Sequence, residues 1–244
     1  MSYIIQTKQL VKHFGGVNAV DHLSVSIPKG KITGLVGPNG SGKTTLINIL
    51  SGFFPHDVGE IIFSGVGRNK ILAWENRIYG ATRTFQQIRL FDQMSALDNI
   101  LVVLTERDPF KSLFERHNAF HLNTAEDILK KVGLHEKRFH NAGSLSYGQR
   151  KLLEIGRILA MNSEVILLDE PFAGLFPEVV KKIEVFIREL KSEGKTIVLV
   201  EHNMAIIRSL CDYLLVMDAG KLLAEGEPEK VLSEKAVLEA YLGE

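Results

Sequence analysis

A glycine-rich segment between an apolar strand and a helix restricts the fold of this chain more than any other feature. The residues KITGLV at 31–36 predict a buried strand, and GPNGSGKT at Gly37–Thr44 follows directly. The next residues, TLINILSG, predict a helix that ends near Gly52. Glycine permits tight turns that bring successive backbone N–H groups close to one anion. The sequence therefore predicts a phosphate-binding loop that opens onto a helix N-terminus.

This segment fits the P-loop pattern G-x-x-x-x-G-K-[ST] at every defined position. Lys43 is expected to contact the β- and γ-phosphates of a nucleotide, and the Thr44 hydroxyl to bind Mg²⁺. The alternative is a glycine-rich turn that only joins strand to helix, but pattern and context together favour the nucleotide site. The predicted nucleotide-binding residues of this segment are Gly37, Pro38, Asn39, Gly40, Ser41, Gly42, Lys43, Thr44 and Thr45.

Two acids stand at the end of another apolar stretch, VILLDEP at 165–171. A buried carboxylate needs a partner of opposite charge, because losing water otherwise costs several kcal/mol. In P-loop nucleotide hydrolases an acid at this place holds the Mg²⁺, so Asp169 is predicted to hold the metal, through a water molecule. Glu170 is predicted to polarise the water that attacks the γ-phosphate. The alternative is a helix-capping or surface acid pair, which the nearby P-loop makes the weaker interpretation.

Composition excludes several classes of protein. Lys plus Arg number 29 and Asp plus Glu number 29, a balance that argues against a dedicated nucleic-acid binder. The single cysteine, Cys211, excludes an internal disulfide and suits a reducing cytosol. The first residues lack the pattern of a secretory signal, and no apolar run approaches the ~20 residues needed to cross a bilayer. We therefore expect any membrane role to depend on a partner.

Strands and helices alternate along most of the chain, which predicts an α/β fold with parallel strands. TIVLVEH at 196–202 is a further predicted buried strand, and YLLVMDAGKLLAEG predicts a hairpin that turns at Asp218–Gly220. Between about Asp92 and Ser163 the pattern becomes helical, as in an inserted lobe.

Short motifs then make the chain resemble one family. LSYGQRK at Leu145–Lys151 resembles the LSGGQ signature of ATP-binding cassette (ABC) ATPases, with Tyr147 in place of one glycine. RTFQQ has Gln86 at the position of the family's Q-loop glutamine, and VEH has His202 at that of the switch histidine. Phe14 matches the aromatic residue that stacks on adenine. These motifs follow the family's order, and the resemblance covers essentially the whole chain.

The resemblance implies an α/β P-loop NTPase core with a mixed sheet and an N-terminal antiparallel β part, formed by residues 1–91 and 164–244. It implies that residues 92–163 form the inserted helical signature lobe. ATP and Mg²⁺ are the implied cofactors. Gln86 is implied to sense the γ-phosphate and to contact the metal, and His202 to bridge the γ-phosphate and the attacking water. Either could instead be an ordinary polar residue, and Phe14 could be a core residue.

The signature segment has its own expected chemistry. The Ser146 hydroxyl, the N–H groups near Gly148 and Gln149 and the helix dipole would form a second anion site. The resemblance implies that this site closes on the γ-phosphate held by a second ATPase subunit, identical or not. The alternative is an ordinary capped helix. AGLFP has Phe176 where the family usually has an aspartate that contacts the other subunit, so we expect an effect on coupling between sites rather than on hydrolysis.

Other stretches resemble the ATPase subunits of branched-chain amino-acid importers: SYGQRKLLEIGRILA, the AGL-x-P variant, FKSLFER and the ending AYLGE. The implied partners are transmembrane permease subunits and, indirectly, a periplasmic or extracellular substrate-binding protein, with no nucleic acid. The implied location is the cytoplasmic face of the inner cell membrane. The alternatives are lipopolysaccharide-export ATPases, soluble ABC ATPases and a non-enzymatic regulatory subunit, against which Glu170 and His202 argue.

The segment Ile88–Ile100 is predicted to form one wall of a groove for a cytoplasmic permease helix, exposing Leu90, Phe91 and Met94. The alternative is that this segment belongs to the core of the lobe.

Overall fold

The computed structural model describes residues 2–68, 70–71, 80–84, 88–104 and 119–242. The chain divides into two units. The core unit comprises Met1–Arg83, Glu164–Pro171 and Phe186–Glu244. The helical unit comprises Thr84–Ser163 and Phe172–Val185, so it begins earlier than the expected residue 92 and gains a second segment. No helix among the described residues has the length and apolar character to span a membrane.

The elements are numbered in chain order. The described residues form strands β1 (Tyr3–Phe14), β2 (Val17–Leu23), β3 (Ser26–Pro28), β4 (Ile32–Val36), β5 (Val58–Phe63), β6 (Val66–Arg68), β7 (Ala81–Arg83), β8 (Val165–Asp169), β9 (Thr196–Val200), β10 (Tyr213–Asp218) and β11 (Lys221–Gly226). They form helices α1 (Lys43–Leu50), α2 (Ala96–Leu104), α3 (Ala119–Lys131), α4 (Tyr147–Met161), α5 (Pro177–Ser192), α6 (Met204–Leu210), α7 (Pro228–Val231) and α8 (Lys235–Leu242). Short 3₁₀ turns occupy His135–Lys137 and Ala142–Ser144.

The larger sheet of the core unit has the strand order β11-β10-β4-β9-β8-β7. The strands from β10 to β7 in this order are parallel, and β11 is antiparallel to β10. Strands β4, β8 and β9 are buried along their whole length, which is typical of parallel strands covered on both faces. Parallel strands end at the same edge of a sheet. The carboxyl ends of β4, β7, β8 and β9 therefore share that edge.

The hairpin predicted between β10 and β11 is confirmed. Asp218 pairs with Lys221, and the two residues between them have positive φ angles of 45° at Ala219 and 80° at Gly220. Two positive φ angles are required by the type of turn that matches the twist of a tight hairpin.

A second, antiparallel sheet has the order β2-β1-β5-β6, with β3 paired to β1, as expected for the N-terminal β part. It shares one hydrophobic core with the larger sheet and with α1. Leu46, Ile47 and Leu50 of α1 are at most 1% exposed. Each such side chain contributes about 1.5–3 kcal/mol by burial, so the helix after the P-loop is firmly held in the core.

The helical unit is built from α2, α3 and α4, which pack on one another. A Cβ at Gly156 of α4 would lie 3.1 Å from Ile100 Cδ1 of α2 and 3.4 Å from Ile128 Cγ2 of α3. The absence of a side chain at Gly156 therefore permits close approach of the three helices. Helix α4 ends at Asn162, whose φ of 48° is the left-handed conformation that commonly terminates helices.

Candidate nucleotide-binding site

The P-loop has a backbone that only glycine fits at two positions. Gly37 and Gly42 have φ angles of 148° and 99°. A Cβ at Gly37 would lie 2.0 Å from the Met217 carbonyl oxygen, and one at Gly42 would lie 2.2 Å from the Ala19 carbonyl oxygen. Helix α1 begins at Lys43 without a side-chain cap and without an acid in its first turn. Its first N–H groups and its positive end are therefore suited to bind an anion.

The side chains of the loop are partly exposed. Asn39, Gly40 and Thr44 are exposed, Pro38, Gly42, Lys43 and Thr45 are half-buried, and Gly37 and Ser41 are buried. Lys43 Nζ lies 2.7 Å from the Gly37 carbonyl oxygen, 2.8 Å from that of Pro38 and 3.3 Å from Ser41 Oγ. The Lys43 ammonium group therefore lies directly beside the P-loop backbone. A phosphate would accept stronger, charge-assisted hydrogen bonds than these carbonyls do.

The P-loop is also attached to the tip of the β10–β11 hairpin. The Gly220 N–H donates to the Ser41 carbonyl at 3.1 Å, and the Gly220 carbonyl accepts from the Asp21 N–H at 2.9 Å. A Cβ at Gly220 would lie 2.9 Å from the Asn18 carbonyl oxygen. The turn is therefore part of the support of the nucleotide loop, a contact that the sequence pattern does not reveal.

Phe14 stands at the end of β1 with 48% of its surface exposed, so it is not a core residue. Its ring meets that of Phe54 edge to face at 5.3 Å, and Lys12 Nζ lies 5.4 Å from its centroid. The Lys12 ammonium also binds Asp57 at 2.7 Å, and together with the His13 backbone N–H it lowers the pKa of Asp57 to about 2. The ring thus contacts Phe54 and Lys12, while the residue stays accessible to an adenine base.

Asp169 is 3% exposed and forms an ion pair with Arg83, whose Nη2 lies 2.9 Å from Asp169 Oδ2. Arg83 Nη1 donates to Asn48 Oδ1 at 2.5 Å and to Ser51 Oγ at 3.0 Å. The guanidinium therefore connects the end of β8 to the helix that follows the P-loop. The sequence pattern predicted Asp169 at the end of a buried strand, as observed. It did not indicate that Arg83 is the partner of this carboxylate.

Glu170 and His202 follow neighbouring parallel strands. Glu170 is half-buried and has a φ of 46°, and its N–H donates to the Val200 carbonyl at 3.0 Å. A left-handed conformation costs a residue other than glycine ~1–2 kcal/mol, so the surrounding contacts hold Glu170 in this turn. His202 is exposed, and Asn203 next to it caps α6 by accepting from the Ala205 N–H at 3.0 Å.

The carboxylate of Asp169 and the hydroxyl of Thr44 are hard oxygen ligands of the kind Mg²⁺ prefers. Asp169 lies at the end of β8, Thr44 lies in the first turn of α1, and α1 packs against β8. Mg²⁺ usually binds one or two protein oxygens and completes its shell with water and phosphate. These residues therefore fit a magnesium ion bound together with a nucleotide.

The signature segment lies in the helical unit at the start of α4. Ser146 caps the helix by accepting from the Gln149 N–H at 3.4 Å, and Gln149 Oε1 accepts from the Ser146 N–H at 3.1 Å. Lys137 Nζ lies 3.2 Å from the same Gln149 oxygen. The capped-helix interpretation thus describes the local structure. Ser146 is nevertheless exposed and Gly148 half-buried, and the additional cation, Lys137, was not anticipated from the sequence.

A Cβ at Gly148 would lie 3.2 Å from Val179 Cγ2, so the start of α4 packs closely on the start of α5. Both residues belong to the helical unit, of which Phe172–Val185 is the second segment. Phe176, immediately before α5, is 78% exposed and presents an aromatic ring where the family pattern has a carboxylate.

The predicted site residues thus fall into two groups. The P-loop, Phe14, Asp169, Glu170 and His202 belong to the core unit, and Ser146, Gly148 and Gln149 belong to the helical unit. Gln86 and the stretch FKSLFER lie outside the described residues.

Comparison with known proteins identifies one family model and several proteins of similar sequence. The family model described as ABC transporter matches residues 20–173. The chain is 38% identical to the "Probable branched-chain amino acid transport ATP-binding protein LivG" of Methanocaldococcus jannaschii, over 99% of this chain and 98% of the relative. It is 34% identical, over 99% and 98%, to the "High-affinity branched-chain amino acid transport ATP-binding protein BraF" of Pseudomonas aeruginosa.

Solved structures are similar as well. An ATP-binding cassette of an ABC transporter in its ADP conformation superposes with a TM-score of 0.86 at 37% identity, covering 100% of both chains. A dimeric bacterial ABC transporter cassette gives a TM-score of 0.80 at 27% identity, covering 92% of this chain and 98% of the other.

Proposed function

Since this chain belongs to the ABC transporter family and is an ATP-hydrolysing subunit of it, we propose that it powers a membrane importer of branched-chain or related amino acids. The observation that carries the proposal is the 34–38% identity, over nearly the full length of both chains, to relatives named as branched-chain amino acid transport proteins. Import rather than export is part of the proposal.

The core unit would bind the nucleotide. The P-loop N–H groups and Lys43 would hold the β- and γ-phosphates, and the exposed ring of Phe14 would stack on the adenine. Thr44 and Asp169 would hold Mg²⁺, which neutralises charge on the phosphate oxygens. Lys43 Nζ lies within hydrogen-bond distance of two carbonyl oxygens of the P-loop. This position supports the role of Lys43, because its charge already lies where the phosphates would bind.

Glu170 and His202 would act on the attacking water. Glu170 would orient and polarise it, His202 would contact the γ-phosphate and the water, and Gln86 would report the γ-phosphate to the helical unit. The placement of Glu170 and His202 after the paired strands β8 and β9 supports a shared role. A positioned general base contributes about 10²–10⁴-fold to rate.

A second ATPase subunit, identical or related, would complete each site. Ser146, Gly148 and Gln149 of one subunit would bind the γ-phosphate held by the P-loop of the other. Hydrolysis would then remove the contact that holds the two subunits closed, so ATP would bind the closed state better than ADP does. The exposed start of α4 supports this, since Ser146 is accessible to a partner.

Permease subunits would dock on the segment that contains Phe91. Asn99 is fully buried, its Nδ2 donates to the Phe91 carbonyl at 3.1 Å, and its Oδ1 accepts from the Phe91 N–H at 3.0 Å. The backbone at Phe91 is thereby fixed while its ring stays 46% exposed, 5.3 Å from the Arg157 guanidinium. Leu90 and Met94 are half-buried beside it. A rigid, accessible aromatic residue is a typical anchor for a partner.

The docking surface has a matched control. Phe139 is 69% exposed and lies 4.5 Å from the Arg138 guanidinium, so it reproduces the exposed phenylalanine beside an arginine. We expect Phe91→Asp to abolish co-purification with the permeases while ATPase activity remains, and Phe139→Asp to change neither. Unchanged co-purification of the Phe91→Asp protein would contradict the docking site.

Transport itself is tested in cells that lack this chain but keep its permeases. ATP-dependent uptake of radiolabelled leucine should be lost, restored by the wild-type chain and not restored by Lys43→Ala. Undiminished uptake of leucine, isoleucine and valine would contradict the proposal. Loss of lipopolysaccharide transfer to the outer membrane, with normal uptake, would favour the export alternative. Absence of the chain from membrane fractions would favour the soluble one.

A further inference from the structure

Arg83 is a buried cation within the candidate site for which neither the family pattern nor the proposed cycle provides a role. It is the last residue of β7, and its side chain is 7% exposed. One terminal nitrogen contacts Asp169, and the other contacts Asn48 of α1 and Ser51, the residue that follows this helix. All these residues belong to the core unit.

The chemistry of this contact favours positioning over stability. Burying two charges removes them from water, and an ion pair of this kind often adds no stability over apolar residues of similar size. What a guanidinium does supply is a planar fork with donors in fixed directions, which a lysine ammonium lacks. In Arg83, one terminal nitrogen of the fork donates to Asp169 and the other donates to Asn48 of α1.

The helix contacted by Arg83 is the one that carries the metal-binding and phosphate-binding residues. Lys43 and Thr44 stand in the first turn of α1, and Asn48 lies one turn further along the same helix. Asp169 and Thr44 would hold one Mg²⁺ together, and water and phosphate would complete its shell. A shift of α1 relative to β8 would change the distance between these two ligands, and the Arg83 contacts oppose such a shift.

We propose that Arg83 is a positioning residue for the magnesium ion, which fixes the Asp169 carboxylate against the helix that carries Thr44. The inference rests on the metal-binding role proposed for Asp169. Residues that orient metal ligands from outside the coordination shell typically account for about 10–100-fold in metal affinity.

The test measures binding and not turnover. A fluorescent ADP analogue is titrated into the full-length chain in Mg²⁺ and in EDTA, and the ratio of the two dissociation constants reports the contribution of the metal. For Arg83→Met we expect this ratio to fall about tenfold, with the constant in EDTA within about twofold of wild type. Arg83→Lys keeps the charge but not the planar fork, so its ratio should lie between those of wild type and Arg83→Met.

Two further variants make the result specific. Asn48→Ala combined with Ser51→Ala removes the α1 side of the contact and keeps the Asp169 side, so its ratio should also fall, even if Arg83→Met does not fold. Arg188→Met is the matched control, because Arg188 donates to the Ser209 carbonyl at 2.8 Å on the surface and should leave the ratio unchanged.

A ratio equal to wild type in Arg83→Met, or in the double variant if Arg83→Met does not fold, would overturn the inference, even with a lower melting temperature. Asp169→Asn separates this outcome from failure of the proposed function. If Asp169→Asn loses the magnesium effect and Arg83→Met keeps it, only the role of Arg83 fails. If both keep it, the assignment of Asp169 as a metal ligand fails as well.

Discussion

The Tyr147 hydroxyl donates a hydrogen bond to the Ala173 backbone carbonyl, 3.4 Å away. Tyr147 is the residue that stands in place of a signature glycine, and Ala173 begins the stretch that leads to Phe176. A Cβ at Gly174 would lie 3.5 Å from Tyr147 Cε1, so the ring lies against this stretch as well. The two departures from the family pattern, Tyr147 and Phe176, therefore belong to one unit, and Tyr147 contacts the stretch that leads to Phe176.

Replacing Phe176 by aspartate restores the carboxylate of the family pattern. In a Glu170→Gln background, which should trap ATP-bound dimers, we expect Phe176→Asp to tighten the dimer about three- to tenfold, as one added hydrogen bond between subunits would. Light scattering at increasing protein concentration measures the dissociation constant of the dimer. Stability should change by less than ~0.5 kcal/mol because the residue is exposed. Phe139→Asp controls for the added charge, and equal dimer constants for the two variants would contradict the expectation.

Glu170→Gln should bind ATP with wild-type affinity and lose about 10²–10⁴-fold in turnover, since glutamine cannot take up the proton of the attacking water. Phosphate release in single-turnover mixing and ATP binding by fluorescence separate the two effects. Glu164→Gln is the control, because Glu164 pairs with Lys29 on the surface at 2.6 Å. Full turnover of Glu170→Gln would exclude Glu170 as the base.

Asp57 should make stability depend on pH below 4. The hydrogen bond from Lys12 is the largest of the causes that lower its pKa from 3.8 to about 2, so the folded state favours the carboxylate. This contribution is fully present above pH 3.8 and is lost as the pH falls through 2. Urea unfolding should show Asp57→Asn less stable at pH 6, by at most ~1 kcal/mol because Asp57 is exposed. The difference from wild type should shrink towards pH 2, whereas a constant difference would contradict the assignment.

Gly156→Ala should destabilise the helical unit. The added methyl would meet Ile100 Cδ1 at 3.1 Å and force the helices apart, at a cost of about 1–3 kcal/mol. Better helix propensity of alanine offsets up to ~1 kcal/mol of that. Urea unfolding followed by circular dichroism measures the difference. Gly16→Ala, where a Cβ meets nothing within 4 Å, should be neutral, and a neutral Gly156→Ala would show that the helices can yield.

Local patterns predicted the elements that are specified by a short run of residues. The strands β4, β8 and β9 were evident as short apolar runs bounded by glycine, proline or charged residues, because both of their faces are buried. The hairpin between β10 and β11 was evident from its turn, because positive φ angles restrict the residues that fit.

Contacts between residues distant in the sequence could not be predicted in the same way. Arg83 lies 86 positions before Asp169, and nothing in RTFQQ indicates that its arginine pairs with that acid. Val179 packs on Gly148, a tertiary contact that helical spacing alone does not predict. The exposure of Phe14 at the end of β1 likewise depends on the tertiary fold, which composition does not determine.

The contact between Gly220 and Ser41 limits how this chain can be engineered. Tips of surface hairpins are the usual places to insert a tag, a sensor module or new chain ends. Here one added residue at 219 or 220 would pull on the carbonyl of Ser41 and distort the pocket for the phosphates. Fusions that preserve activity should therefore be sought elsewhere on the surface, away from this turn.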